Sequence, residues 1–412
     1  MSLRLRTAAA CTHEMRWLAA LSAGAAAAAA AYKLASKFRR AVLAALTGPW
    51  LASPGSLSGC APAASVGTVA SAAAGAGAPP ATANSPSAAA CVGTPPTAAG
   101  SAAASCPGLL AALTPTQRAE LAAARATFEA AGGVLDAHAD AFLLRFLRNH
   151  AFCAMKAAPQ LRATAAWRNE SGAARVRAEY AAGATLCSHE PYVRLLRMIG
   201  ALVGHRTTAD GDVLVIWHVG SFDSSAWLAG MTSAEWRDVT LRVLEYGAWR
   251  ADALSTATGS LVRVSFIIDY DGLALKHHDP RIVARILPVL RWPDAHYPEY
   301  LGVALLVNAP WMFARLWDLL SPALSYALQE RINILRAADS PAAVAALAAA
   351  DDLPRAYGGE LDVMPADVRA AMGIDRLGAG ELAQLGHTSR KLRAYFTSRE
   401  RPSACKRLNA LS

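Results

Sequence analysis

The stretch that most limits what this chain can fold into is Leu301–Val307, LGVALLV, an uncharged apolar run. A run this short and apolar is a strand buried on both faces, and such strands sit in parallel sheets covered by helices. Its flanks agree. Tyr297-Pro298-Glu299 in front is a turn, and Asn308-Ala309-Pro310 behind opens an aromatic-rich segment. Pro310 cannot continue a ladder but fits the first turn of a helix. The block reads turn, buried strand, helix.

The same unit recurs upstream. Gly211–Val219, GDVLVIWHV, is a turn and a strand, and Leu261–Tyr270, LVRVSFIIDY, is a second buried strand closed by Asp269-Tyr270-Asp271-Gly272. Between them Ser233–Leu254 carries a helical pattern through Trp236, Val239, Val243, Tyr246 and Ala253, and Asp279–Leu290 carries another. Strand and helix alternate, so the expected architecture is a mainly parallel α/β sheet. Ahead of it lie three helices. Thr114-Pro115 with Gln117 caps the first, whose face is Leu121, Ala124, Phe128 and Ala131 and whose end is Gly132-Gly133. The second, Asp136–His150, has its stripe at Phe142, Leu143, Phe146 and Leu147, with Arg145 and Arg148 pointing elsewhere. Met155–Asn169 is the third.

Composition divides the chain. Residues 1–108 are mostly Ala, Ser, Gly, Pro and Thr, and Glu14 is their only acid against Arg4, Arg6, Arg16, Lys33, Lys37, Arg39 and Arg40. Most of the formal +9 therefore sits in this leader. Three readings of it stand side by side. It has the chemistry of a targeting peptide, basic and nearly acid-free. It holds an uncharged stretch, Trp17–Tyr32, whose helix would be about 24 Å long against a ~30 Å hydrocarbon core, so a membrane span or a surface helix is the second. The third is a low-complexity extension, which suits Ala52–Pro107 because its composition sustains no packed core. Seven cysteines without CxxC or Cys/His clusters point to a reducing compartment and no zinc or disulfide framework.

YPE…LG…NAPWMF, together with LLRFLR in the second helix and LPRAYGG near residue 354, resembles the CRAL-TRIO family of lipid-binding proteins, phosphatidylinositol transfer proteins among them. The resemblance spans roughly Thr114–Leu361. It implies a small N-terminal helical module followed by a mainly parallel β-sheet flanked by helices enclosing an apolar lipid cavity. The domain limits are then 1–108 for the leader, 109–175 for the helical module, 186–362 for the lipid-binding domain and 363–412 for a basic tail that docks on the domain, docks on an anionic bilayer or stays solvated. By the same likeness Glu299, Arg331 and Arg148 face the lipid headgroup. Phe266 and Ile268 line the cavity, and Trp311, Phe313, Leu316, Trp317 and Leu320 form its lid. Enclosure is what a carrier must supply, since exposing both acyl chains to water costs on the order of 25 kcal/mol at ~0.8 per methylene.

Two positions depart from the family pattern. Asn149, His150 and Ala151 stand where phosphoinositide-transferring relatives carry a basic pair, so one phosphate contact is missing or comes from elsewhere. Val264 and Phe266 stand where phosphatidylcholine-binding relatives place hydroxyls, which puts exchange of two lipids in doubt.

Catalytic patterns are lacking: no GxSxG, HExxH, GxxxxGK[ST] or GxGxxG occurs. His277-His278-Asp279 reads as a solvated helix cap rather than a metal site, and no cofactor is implied. The basic stretches carry no interleaved aromatics, so nucleic acid is not expected. The expectation is a non-catalytic monomer that binds and transfers a phospholipid, phosphatidylinositol foremost, at a membrane surface. It would be cytoplasmic and peripheral to membranes unless the leader directs it to an organelle. A carrier of another hydrophobic ligand, tocopherol- or retinoid-like, and an adaptor that exchanges no lipid are the alternatives.

Overall fold

In a computed structural model of the chain the described residues are 107–198, 202–273, 279–311, 313, 317, 321–388, 391, 392 and 395. The leader readings, Leu316, Leu320 and His277-His278 lie outside them. Chain order begins with helices α1 (Pro107–Ala111), α2 (Pro115–Ala130), α3 (Ala139–Asn149), α4 (Ala154–Ser171), α5 (Ala173–Ala181) and α6 (Glu190–Met198). Strands β1 (Leu202–Thr207) and β2 (Val213–His218) follow, then α7 (Ser224–Gly230) and α8 (Ser233–Thr258), β3 (Val264–Asp269), α9 (Pro280–Leu290) and α10 (Trp292–His296). Next come β4 (Leu301–Val307), α11 (Tyr326–Gln329), β5 (Ile332–Ile334), α12 (Ser340–Leu347), α13 (Ala366–Met372) and α14 (Ala379–Thr388).

The sheet has the order β1-β2-β3-β4-β5, with β1 antiparallel to β2 and the remaining neighbours parallel. The strand patterns explain this. Alternate residues of β2, β3 and β4 bury on opposite faces, and each face has its own cover. Leu214, Ile216, Ile267, Leu305 and Val307 pack with Val344 of α12. On the other face Val213, Val215 and Val264 join the large core under α8, while Ala304 and Leu306 join Phe313, with Phe266 and Ile268 packed alongside. Gly302 fits where no side chain can, since a Cβ there would lie 2.3 Å from Asp212 Oδ2 and from Ser265 Oγ.

Helix starts follow local capping chemistry. Thr114 and Thr232 each form a reciprocal capping box, with Gln117 and Glu235, and Asp279 caps α9 through the N–H of Arg281. The N-terminal helices pack around Phe128, Phe142 and Phe146, and Phe142 sits edge-on to Phe128 at 5.2 Å. α3 corrects one reading of the sequence. Arg145 is fully buried, because Asp252 of α8 supplies a buried carboxylate 2.9 Å from its Nε. Arg148, one turn on, is exposed.

Beyond residue 362 the chain stays on the domain wherever it is described. Met364, Val368, Met372, Ile374, Leu392 and Tyr395 enter the main core, and Arg197 pairs with Glu381 at 2.6 Å. No helix among the described residues is long and apolar enough to cross a membrane.

Candidate functional site

Three charged residues stand at the starts of three adjacent parallel strands: Arg263 directly before β3, Glu299 two residues before β4 and Arg331 directly before β5. Neighbouring strands lie about 4.8 Å apart, so the sheet sets the three side chains in a row, cation, anion, cation. The row is closed by ion pairs. Arg263 Nη2 lies 2.7 Å from Glu299 Oε2, and Arg331 Nη2 lies 3.2 Å from Glu299 Oε1.

Each member is held by its backbone. Val213 N–H donates to the Arg263 carbonyl and Arg263 N–H to Asp212 Oδ1, both at 2.8 Å. Ala304 N–H donates to the Arg331 carbonyl at 2.9 Å, and Arg331 Nη1 reaches the Leu301 carbonyl at 2.8 Å. Glu299 has φ +59°, the left-handed region that costs a residue with a Cβ. Arg145 fixes it there, donating from Nη1 to the Glu299 carbonyl at 3.0 Å. Arg145 is itself locked by Asp252, Ser255 and the Val262 carbonyl. A second buried pair, Arg168 with both oxygens of Glu245, receives Tyr297 Oη at 2.7 Å. The turn before β4 is thus anchored from within.

Burial of Glu299 opposes its ionisation. The hydrogen bond from Arg263 and the charges of Arg331, Arg263 and Arg148 outweigh this and hold its carboxyl below the usual range. Arg148 therefore acts on the row through space from the end of α3. Glu299 and Arg331 are paired, and Arg148 bears on them only through its charge. Arg263 was missed: an arginine inside LVRVSF reads as a strand surface residue, and nothing local reveals the carboxylate across the next strand.

An apolar face starts at this row. Leu301 and Ile332 adjoin it, Phe266 with Ala304 and Ile268 with Leu306 continue it along the strands, and Tyr270, Phe313 and Trp317 close its far end. The Tyr270 and Phe313 rings meet at 4.5 Å between centroids, tilted by 47°. The structure so brings Phe266, Ile268, Phe313 and Trp317 together, while Trp311 is 83% exposed. At that end Asn308, at φ +55°, donates from Nδ2 to buried Asp269 at 2.8 Å, and Lys391 reaches the other Asp269 oxygen at 2.9 Å. Among the described residues no group of His, Cys, Asp and Glu is placed to hold a metal ion.

Residues 198–359 match the family described as CRAL/TRIO domain. A CRAL-TRIO domain-containing protein of Caenorhabditis elegans is 28% identical over 184 residues, 44% of this chain and 24% of that protein. Protein real-time of Anopheles gambiae is 29% identical over 213 residues, 52% of this chain and 30% of that protein. These matches span only about a quarter to a third of those relatives' length. The SEC14 cytosolic factor of Kluyveromyces lactis is 26% identical over 232 residues, 55% of this chain and 73% of that protein. The crystal structure of Sfh5 overlays with a TM-score of 0.42 at 18% identity, covering 54% of this chain and 74% of that one. Residues 198–359 of the chain thus carry a CRAL/TRIO domain.

Proposed function

We propose that this protein binds a phospholipid without chemistry on it and transfers it between membranes, with phosphatidylinositol as the ligand. Family membership supports lipid binding in general. The observation that carries the reading is the continuity of the charged row with the apolar face. A headgroup phosphate beside Arg331 and Arg148 leaves the acyl chains running along β3 and β4 towards Phe313 and Trp317. β4 is seven residues long, about 23 Å of strand. One acyl layer is half the ~30 Å hydrocarbon core, so a chain fits within that length.

Trp311 sits beyond the far end of the face, where an exposed indole suits a bilayer interface. In this reading Trp311, Phe313, Leu316, Trp317 and Leu320 form the lid through which the lipid enters. The test is transfer of phosphatidylinositol between vesicles. Arg331→Ala should slow it at least about tenfold, a charge-assisted phosphate contact being worth ~1.5–3 kcal/mol, with the thermal transition little moved. Unchanged transfer by this variant would remove the headgroup role.

A further inference from the structure

We infer that Arg263 is a direct phosphate-binding residue of the headgroup site, a role that rests on the lipid reading above. Its geometry is at least as good as that of Arg331. Arg263 approaches Glu299 to 2.7 Å, against 3.2 Å for Arg331. It occupies the mirror position in the row, one strand to the other side of Glu299.

The guanidinium also has unused hydrogen-bonding capacity. Nη2 donates to Glu299, yet the adjacent Nε is buried and has no hydrogen-bond acceptor among the described residues. A buried charged donor is costly to leave unpaired, and Nε with Nη2 is one of the two edges through which arginine grips a planar or tetrahedral anion bidentately. A phosphate oxygen at Nε completes that edge while a second lies towards Arg331. Glu299 then serves as the fixed carboxylate that holds both forks in place. Together Arg148, Arg263 and Arg331 against Glu299 leave a surplus of positive charge for an anion. Asp212 adds a second carboxylate beside Arg263, its oxygens accepting from the Arg263 N–H and the Ser265 hydroxyl, and the three arginines still outnumber the two acids. Glu330, beside Arg331, bonds the Tyr326 hydroxyl.

The full chain is titrated with short-chain phosphatidylinositol, short-chain phosphatidylcholine and inositol 1-phosphate by calorimetry, for wild type, Arg263→Gln, Arg263→Lys and Arg331→Gln. Arg263→Gln should weaken phosphatidylinositol at least about tenfold, as for loss of one charge-assisted contact, and Arg263→Lys should fall between. Phosphatidylcholine carries the same phosphodiester, so whatever binding it shows should weaken by a similar factor. The Lys variant keeps the charge but loses the fork, so its intermediate affinity separates anion binding from mere support of the fold. Wild-type-like affinity in Arg263→Gln beside a weakened Arg331→Gln overturns the Arg263 role and leaves the site standing. No effect from either substitution overturns both. Arg263-dependent binding of inositol 1-phosphate alone, with no gain from acyl chains, supports Arg263 as a phosphate ligand and contradicts the lipid reading.

Discussion

Replacing Asp252 by asparagine removes the carboxylate that Arg145 and Arg177 share. Asp252 is fully buried, with Oδ1 2.9 Å from Arg145 Nε and Oδ2 2.9 Å from Arg177 Nη2. Tyr300 also donates to Oδ2, at 2.6 Å. Asparagine keeps the shape but sets an NH2 against a guanidinium and leaves Arg145 without an anionic partner among the described residues, whereas Arg177 keeps Asp136 at 2.6 Å. Breaking a buried pair by removing one partner costs about 3–5 kcal/mol, because the surviving charge stays buried. At ~2–4 °C per kcal/mol for a chain of this size, the thermal midpoint should fall by roughly 6–20 °C. Tyr300→Phe, which removes one hydrogen bond alone, should cost about 1 kcal/mol.

The assay is urea and thermal unfolding of the full chain followed by tryptophan fluorescence. Because Arg145 also holds the Glu299 carbonyl, Asp252→Asn should weaken anionic-lipid binding even at temperatures where it remains folded. A loss below about 1 kcal/mol would refute the view that this buried pairing anchors the turn.

His296 makes a pH test. Burial, aided by the charge of Arg168, pushes its imidazole down to about 4 from 6.5, and it stacks on Trp167 at 4.0 Å. The unfolded chain takes up this proton first as pH falls below 6.5, so the residue withdraws stability between 6.5 and about 4. His296→Phe should therefore flatten the fall of the unfolding midpoint over that window; parallel profiles would contradict a neutral His296. Trp311→Ala should leave the free energy of unfolding within about 0.5 kcal/mol, as expected for an exposed side chain, but reduce binding to vesicles in sedimentation. Equal sedimentation would remove Trp311 from the membrane-facing end.

Much of this was legible in the sequence, and for identifiable reasons. β4 runs over the residues its apolar pattern marked, Leu301–Val307, because both of its ends carry strong turn signals. β3, Val264–Asp269, is shorter than the run Leu261–Tyr270, and the residue immediately ahead of it is Arg263. The edge strands were not legible. β1 carries Gly204, His205 and Arg206, and β5 is three residues inside ALQERINIL, so neither shows a period long enough to read. Arg145 and Arg148 looked alike because helical spacing places both off the aromatic stripe. What separates them is Asp252, 107 positions away. The ion-paired row had the same obstacle: strand order, not local pattern, brings Arg263, Glu299 and Arg331 side by side.

Lipid mass spectrometry on the full chain purified from a eukaryotic host, beside the Arg331→Gln variant, tests the central claim most directly. Wild type should carry an anionic glycerophospholipid, phosphatidylinositol foremost, near one per chain, and the variant should lose it while keeping its fold. An empty wild-type protein, or the same lipid at the same occupancy in both, would contradict the account.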